Sequence, residues 1–308
     1  MADSWRIRVK VGKIDDYTRE AWDRCEVGVW YGAWSAQDFR DAVSQKNVAS
    51  ATYLRNLPDQ KNLAWNESDS FFYPAIKFGN IPNGDWIVVF LRETQEIGVA
   101  QICAEIQSEK NHPLNLYGET FKFRKLADKK KFKLSHLPGA YCLLPAQGRG
   151  NVHRFNGMQG HVDLLVKSQA EEDVSQALHQ MQSEEFLDFL GAAEWESFCT
   201  AYLIIEEDLV PTGVSTGRTL PVFDIVGRRR RDGSRLYAQC KKDPNPQLMR
   251  EEFLAVCSTL GPDDTAYFFG YGGCNNNNGA VTVFDKNSAL NWLNTENGRH
   301  YFELFAAP

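Results

Sequence analysis

Apolar residues follow two different patterns along this chain, and the change falls near residue 165. Before it, short runs with the alternating pattern of strands are separated by Gly and Pro. We predict such strands at 5–11, 27–31, 85–90, 97–104 and 139–144, and one helix at 36–54. Short strands with few helices predict a small mixed β-barrel over residues 1–165.

The pattern after residue 185 alternates between helices and strands. Residues 166–185 are polar and helix-prone, and they predict a linker helix. Beyond them we predict helices at 186–203, 246–260 and 287–293 and strands at 219–227, 235–241, 265–270 and 280–284. The last helix has Asn287 or Asp285 as its N-cap. This order predicts an α/β domain with a mixed central sheet over residues 186–308, so the fold class is α+β with two domains.

The composition of the chain is consistent with these predictions. The chain has 308 residues, 43% of them hydrophobic, which is ordinary for a folded protein of about two domains. It has neither a run of 18 apolar residues nor an apolar signal core, so we expect no membrane partner. The seven cysteines form no CxxC pair, which argues against a zinc site or a disulfide framework and favours the cytoplasm.

Basic residues cluster in two places although the net charge is −6. Residues 122–133 contain seven basic residues against one acid, and Arg228, Arg229, Arg230 and Arg231 are consecutive. A solvated face is the common fate of such a run. The arginine run is close in sequence to Asp224, a candidate site residue, so we also predict that it contacts a phosphate backbone.

The candidate chemistry lies on two neighbouring strands. Asp224 ends an apolar extended run, and Gln239 and Lys241 end the next one. The residues between them include Asp232-Gly233, where a hairpin can reverse. A carboxylate that can hold a divalent cation, beside a Lys that can polarise a water, is the minimum for metal-assisted phosphodiester hydrolysis.

A second carboxylate lies on the helix before these strands. Glu196 is spaced at helical intervals from apolar residues, so it points from a largely apolar face and needs a partner. A metal ion would supply one. Glu194 is the alternative, because the helix is apolar nearly all round.

The order helix-Glu, strand-Asp, strand-Gln-x-Lys and helix resembles the PD-(D/E)xK nuclease superfamily, in its Mrr-like branch with Gln in place of Glu. The resemblance covers roughly residues 185–308. It implies Mg²⁺, with Mn²⁺ as a substitute, bound by Asp224, Glu196 and the backbone carbonyl of Cys240. It also implies that Lys241 orients the attacking water or helps to deprotonate it and stabilises developing negative charge, and that the Gln239 amide orients water or metal.

The N-terminal domain resembles a PUA-like domain of the EVE or YTH type. The resemblance rests on Trp30-Tyr-Gly-Ala-Trp34, on Gly84-Asp-Trp-Ile-Val-Val-Phe90 and on Ile97-Gly-Val-Ala-Gln-Ile102, and residues 111–133 depart from it as a long basic insert. It implies a flipped, modified base held between aromatic rings. The cage candidates are Trp30, Tyr31 and Trp34, with Trp65 and Trp86 behind them, and Asp85 or Asn83 to read an exocyclic amine.

Together the two resemblances predict a modification-dependent DNA endonuclease of anti-phage defence. DNA carrying modified bases is the expected partner, and cutting both strands predicts a homodimer. Additional defence subunits are a further possible partner. The alternatives are an RNA-directed nuclease and a non-catalytic binding protein that keeps the nuclease fold as a scaffold.

Overall fold

The computed structural model describes residues 3–11, 15–30, 36–44, 77–116, 120–146, 151–155, 157–214, 222–276 and 279–308. Over these residues the protein is mixed α+β, with one curled mixed sheet and a second mixed sheet. Its backbone contacts divide the chain into two compact units, Met1–Ser175 and Gln176–Ala307. The division falls inside the segment 166–185, which the sequence predicted to be a linker.

A curled sheet dominates the first unit, with strand order β4-β8-β6-β5-β1-β9 and β7 beside β8. Strands β1 and β5 are parallel, whereas the other pairs of this sheet are antiparallel. The strands, including the separate pair β2 and β3, are β1 Ser4–Ile7, β2 Lys10–Val11, β3 Asp15–Asp16, β4 Glu26–Val29, β5 Trp86–Leu91, β6 Glu96–Ile102, β7 Gln107–Ser108, β8 Lys122–Lys133 and β9 Val152–Arg154. The helices with described bounds in this part include α1 Thr18–Asp23, α2 Ala36–Ser44 and α3 Gln159–Lys167.

Three of the five strands predicted for this unit are present as β4, β5 and β6. The run 5–11 is divided between β1 and β2. The prediction for 139–144 is wrong, because Gly139–Ala146 is a 3₁₀ helix. Tyr141 and Leu144 are both buried there, and their spacing of three residues matches the three-residue turn of a 3₁₀ helix.

The basic segment that resembled an insert is the longest strand of the sheet. Strand β8 pairs with β4, β6 and β7, and Phe123 and Phe132 on it are buried. Two of its cations are buried as well. Lys122 donates to the Trp30 carbonyl at 3.2 Å, and Arg124 donates to the Ala104 carbonyl at 3.0 Å. These charges fix neighbouring loops to the sheet.

The second unit contains a five-stranded sheet with order β10-β11-β12-β13-β14. The first two pairs are antiparallel and the last two are parallel. The strands are β10 Leu209–Val214, β11 Ile225–Arg229, β12 Arg235–Lys241, β13 Thr265–Gly270 and β14 Val281–Phe284. Turn residue Gly233, with φ +72°, donates its N–H to the Arg229 carbonyl at 2.9 Å and so closes the predicted hairpin.

Six helices accompany this sheet and the segment that leads to it. They are α4 Glu171–His179, α5 Ser183–Phe189, α6 Ala192–Glu206, α7 Glu251–Cys257, α8 Lys286–Leu293 and α9 Glu296–Ala306. One core cluster joins Trp195, Phe198 and Cys199 of α6 to Ala238 and Phe269 of the sheet. A second cluster joins Phe253 of α7 to Phe268. The two clusters contain alternate residues of the strands, so the sheet is covered on both faces.

The predicted elements omitted β10 and the final helix α9, and the helix predicted at 186–203 is divided at Leu190 and Gly191 into α5 and α6. Helix α7 is also shorter than the predicted 246–260. The residues before it instead bond to the loop after β13: Gln247 N–H donates to the Gly273 carbonyl at 3.1 Å, and Met249 N–H donates to Asn276 Oδ1 at 2.7 Å. At α8, Asp285 is the N-cap and accepts from Ser288 N–H at 2.8 Å.

Segment 166–185 contains the end of α3, all of α4 and the start of α5, where the sequence predicted one helix. The Asp173 carboxylate accepts from the N–H groups of Gln169 and Ala170. These bonds cap the start of α4 and separate it from α3. Gln182 is extended, with φ −71° and ψ 152°, and separates α4 from α5. Val174 and Leu178 are buried, so this segment packs against the protein.

Candidate active site

The two candidate carboxylates of helix α6 have different surroundings. Glu194 is buried, and its Oε2 accepts from the Gly191 N–H at 2.7 Å, which caps the start of the helix. Glu196 is half-buried, and its charge interacts with those of Asp224 and Lys241. The structure therefore brings Glu196, and not Glu194, to the predicted site.

Helix α6 is fixed to the sheet by the residue next to Glu196. The Trp195 indole donates to the Phe269 carbonyl of β13 at 3.2 Å, and Trp195 is fully buried. This bond and the surrounding apolar packing set the rotation of the helix. The packing of Trp195 thereby holds Glu196 at the sheet.

Asp224 is held at the start of β11. Its N–H donates to the Ala238 carbonyl at 2.9 Å, and its Oδ2 accepts from the Cys240 N–H at 2.6 Å. Both bonds cross to β12, the strand that also carries Lys241. A carboxylate bound to a main-chain N–H keeps one direction, and this is what a ligand or a base requires.

The charges of this site act on one another. Burial and the neighbouring Asp224 raise the pKa of Glu196 to about 7, against the opposing effect of the Lys241 ammonium. Burial also raises the pKa of the Cys199 and Cys240 thiols, which share a hydrogen bond and interact with the charges of Glu196 and Asp224. Two acids and one ammonium, from three segments distant in sequence, therefore form one cluster.

Gln239 belongs to the framework of this site. It is 1% exposed, its Oε1 accepts from the Arg250 N–H at 3.3 Å and its Nε2 is 3.5 Å from the Val222 carbonyl. Both ends of the amide thus contact main chain. These contacts tie the segment before Asp224 to the start of α7, and they do not support the predicted role of orienting water or metal.

The arginine run lies at the other end of the hairpin from Asp224. On β11, Arg228 and Arg229 lie four and five residues beyond Asp224, roughly 13–17 Å along the strand, and Arg230 and Arg231 follow in the turn. Arg229 is buried and pairs with Glu207 at 2.7 Å. Arg228 donates to the Gly233 carbonyl, Arg230 is near Asp208, and Arg231 is near Glu207 and Asp232. The run therefore lies at the closed end of the hairpin and not beside Asp224, and its contact with a phosphate backbone stays a prediction.

The predicted base-reading residues do not form an aromatic cage in the described part of the chain. Trp30 is 4% exposed, donates to the Leu114 carbonyl at 2.7 Å and packs on Phe121, so it is a core residue. Asp85 is buried and accepts from the Trp5 indole at 2.9 Å, and Trp86 is half-buried. Tyr31, Trp34 and Trp65 lie outside the described residues, and Asn83 donates to Glu105 at 2.8 Å.

The sequence did not predict a second charged cluster, which lies at the carboxyl ends of the parallel strands. The Lys242 ammonium donates to the Leu187 carbonyl at 2.6 Å and lies 3.0 Å from the centre of the Tyr271 ring, and burial lowers its pKa to about 8. Lys286 pairs with Asp188 at 2.9 Å beside a cavity of about 320 Å³. The rule that ligands bind beyond the carboxyl ends of parallel strands is the signal that could have indicated it.

Among the described residues, no group of three or more His, Cys, Asp or Glu side chains is placed to hold a metal ion. The predicted protein ligands are two carboxylates, Glu196 and Asp224, and one main-chain carbonyl. Over the same part of the chain, no helix has the length and apolar character that crossing a bilayer requires.

Comparison of the chain with protein-family models, with curated proteins and with solved structures gave no match. The resemblance to PD-(D/E)xK nucleases and to PUA-like domains therefore rests on the residues quoted for it. The activity of the protein is accordingly a matter for proposal.

Proposed function

We propose that the second unit hydrolyses phosphodiester bonds of nucleic acid with a divalent cation, as a modification-dependent DNA endonuclease of phage defence would. The observation that carries the proposal is the cluster of Glu196, Asp224 and Lys241. It unites a helix, the start of one strand and the end of the next, in the order that the motif requires.

The residues present suit Mg²⁺. Burial and Asp224 raise the pKa of Glu196 to about 7, so two carboxylates compete for one region with a single ammonium beside them. A hard cation with oxygen ligands relieves that repulsion. Glu196 and Asp224 would hold it, joined by the Cys240 carbonyl. When bound, Mg²⁺ supplies Lewis-acid stabilisation of the charge on the phosphate.

The chain's own groups account for the remaining chemistry. Lys241 can donate a hydrogen bond to the attacking water and stabilise the negative charge that grows on the phosphate oxygens. The Cys240 N–H keeps the Asp224 carboxylate in place during that change. Hydrolysis joins the water oxygen to phosphorus, breaks one P–O bond and returns the water proton to the leaving oxygen or to solvent.

Two isosteric or truncating substitutions test the proposal. Asp224→Asn keeps an acceptor for the Cys240 N–H, and Lys241→Ala removes a half-buried ammonium, so both variants should fold. We expect each to lower Mg²⁺-dependent DNA cleavage by at least about 100-fold. Wild-type cleavage rates in either variant would refute the assignment.

The choice of substrate is tested in the same assay with three nucleic acids of one sequence: unmodified DNA, DNA with modified cytosines, and RNA. Cleavage of the modified DNA alone supports the complete proposal. Equal cleavage of both DNAs keeps the nuclease and removes base recognition. Cleavage of RNA alone favours the RNA-directed alternative, and retained binding without cleavage favours a scaffold.

A further inference from the structure

A cavity of about 270 Å³ opens on the first unit near the ends of β1 and β5. Two guanidinium groups, one carboxylate and several apolar side chains face it. The lining residues are Arg8, Asp16, Phe90, Arg92, Leu134, Cys142 and Pro145. Its volume is near the lower limit for small-molecule sites, which suits a small ligand about the size of a single nucleotide.

The cavity has a local excess of positive charge on a protein of net charge −6. The Arg8 guanidinium donates to the Pro145 carbonyl at 2.6 Å. Arg92 is exposed, and its guanidinium has no hydrogen bond or ion pair within the described part of the chain. Arg6 lies behind, 2% exposed, and donates to the same Pro145 carbonyl at 3.1 Å. Burial and the charge of Arg8 lower the pKa of Arg6 to about 10.

The carboxylate of the cavity is only partly engaged. Asp16 Oδ1 accepts from the N–H and the hydroxyl of Thr18, at 3.1 and 2.6 Å. Its Oδ2 has no hydrogen bond from a described residue, so it can accept one from a ligand N–H. Two arginines in the cavity and one behind it outnumber this single carboxylate. The net positive charge favours an anionic ligand.

The apolar part of the lining supplies a surface for a flat group. Phe90 is half-buried at the end of β5. Leu134, in the 3₁₀ turn Leu134–His136, and Pro145, in the 3₁₀ helix Gly139–Ala146, are half-buried as well. An aromatic ring beside aliphatic side chains is a surface on which a base can stack.

We propose that this cavity binds a single nucleotide unit. The phosphate lies on Arg8 and Arg92, whose planar guanidinium groups match phosphate oxygens, and the base lies against Phe90 and Pro145. Asp16 accepts from an exocyclic amino group of the base. The assignment does not depend on hydrolysis in the second unit, because every residue that it uses belongs to the first.

The test is calorimetric titration of the full-length protein in EDTA, so that cation-dependent binding elsewhere is suppressed. The probes are dCMP and dAMP, inorganic phosphate, and a single-stranded octamer of DNA. The variants are Arg92→Glu, Arg8→Ala and Phe90→Ser. Arg154→Ala is the control, because Arg154 is a half-exposed arginine of the same unit outside the cavity, paired with Asp3.

We expect Arg92→Glu and Arg8→Ala to weaken mononucleotide binding by at least about tenfold, since each removes a charge-assisted contact. Phe90→Ser should weaken nucleotides and leave inorganic phosphate unchanged, and Arg154→Ala should leave all the probes unchanged. Binding of the octamer alone, still dependent on Arg92, supports a site for a nucleotide within a strand.

Two results would overturn the proposal. One is wild-type affinity in Arg92→Glu, a variant of an exposed side chain whose folding is not at risk. The other is the lack of binding by wild type to mononucleotides and to the octamer at millimolar concentration. Asp224→Asn, which tests hydrolysis, should retain nucleotide binding here, so failure of one proposal is distinguishable from failure of the other.

Discussion

Glu194 and Glu196 are two residues apart in one helix, yet their environments give them different tasks. Glu194 accepts from a main-chain N–H and completes the start of α6. Glu196 is half-buried near another carboxylate, and its raised pKa reflects the cost of charge in that position. A carboxylate kept where its charge destabilises the folded protein is typical of a functional site.

Substituting each glutamate should separate these tasks. Glu196→Gln removes a charge that repels Asp224, so we expect cleavage to fall at least about 100-fold while the melting temperature in EDTA stays the same or rises. Glu194→Ala removes a helix cap, so we expect a loss of about 1–2 kcal/mol of stability with cleavage nearly unchanged. Melting and cleavage assays on both variants test these expectations. Loss of cleavage in Glu194→Ala, with cleavage retained in Glu196→Gln, would assign the site to Glu194.

The first unit has a buried acid that should make its stability depend on pH. Glu26 is 2% exposed, and it accepts from Lys125 at 2.6 Å and contacts His112 at 2.9 Å. Burial alone would raise the pKa of Glu26, but the bonds from Lys125 and His112 outweigh it and lower the pKa below 4.5. The stabilisation is therefore complete above pH 4.5 and is lost as pH falls through the lower, folded pKa.

Denaturant unfolding from pH 7 to pH 3 tests this dependence. We expect Glu26→Gln to lose about 1–3 kcal/mol at pH 7 and to lose less on acidification than wild type does. The control is Glu93→Gln, which breaks an exposed pair with Arg19 and should change stability by less than about 0.5 kcal/mol. Parallel pH curves for wild type and Glu26→Gln would contradict the assignment.

At the scale of elements, the two ends of the hairpin β11–β12 carry different charged residues. Its open end carries Asp224 and Lys241, and its closed end carries the arginine run. Arg229 there bonds Glu207 and the Thr265 hydroxyl, at 2.7 and 2.8 Å, and so joins the hairpin to α6 and β13. Arg229 is therefore a structural joint at the end of the hairpin opposite Asp224.

The joint can be tested within the run itself. Arg229→Ala leaves Glu207 without its buried partner and should cost about 3–5 kcal/mol. Arg230→Ala, at a side chain 73% exposed, should cost less than about 0.5 kcal/mol. Denaturant titration of both variants measures the contrast. Equal costs would mean that Arg229 is not the structural member of the run.

At the scale of the whole molecule, each unit has its own apolar core. In the first unit the core surrounds Trp22, Trp30 and Phe121, and in the second it surrounds Trp195 and Phe269. A segment with its own core and secondary structure can fold independently. Helix α4 spans the division between the units, so a fragment that begins at residue 169 keeps this helix whole.

Fragment 169–308 should therefore unfold cooperatively. For a domain of its length we expect a calorimetric enthalpy of about 100 kcal/mol, equal to the van't Hoff enthalpy. Differential scanning calorimetry of the fragment and of the full chain measures both quantities. A broad transition with unequal enthalpies would show that the second unit needs the first in order to fold.

The sequence by itself determined the features that depend on local pattern. Alternation of apolar residues located β4, β5, β6 and β13, and the Asp-Gly turn located the hairpin between β11 and β12. The motif also named Asp224, Lys241 and a helix glutamate. The strand and hairpin predictions are confirmed because period and turn chemistry act over a few neighbouring positions, whereas the roles of the motif residues stay predictions.

The tertiary structure decided what depends on partners distant in the chain. It made a basic run the longest strand of a sheet, because Lys122 and Arg124 find carbonyls from other segments. It moved Trp30 into the core, chose Glu196 over Glu194 and placed the arginines away from Asp224. A side chain's burial and the charges beside it are set by contacts between segments, and local sequence does not contain them.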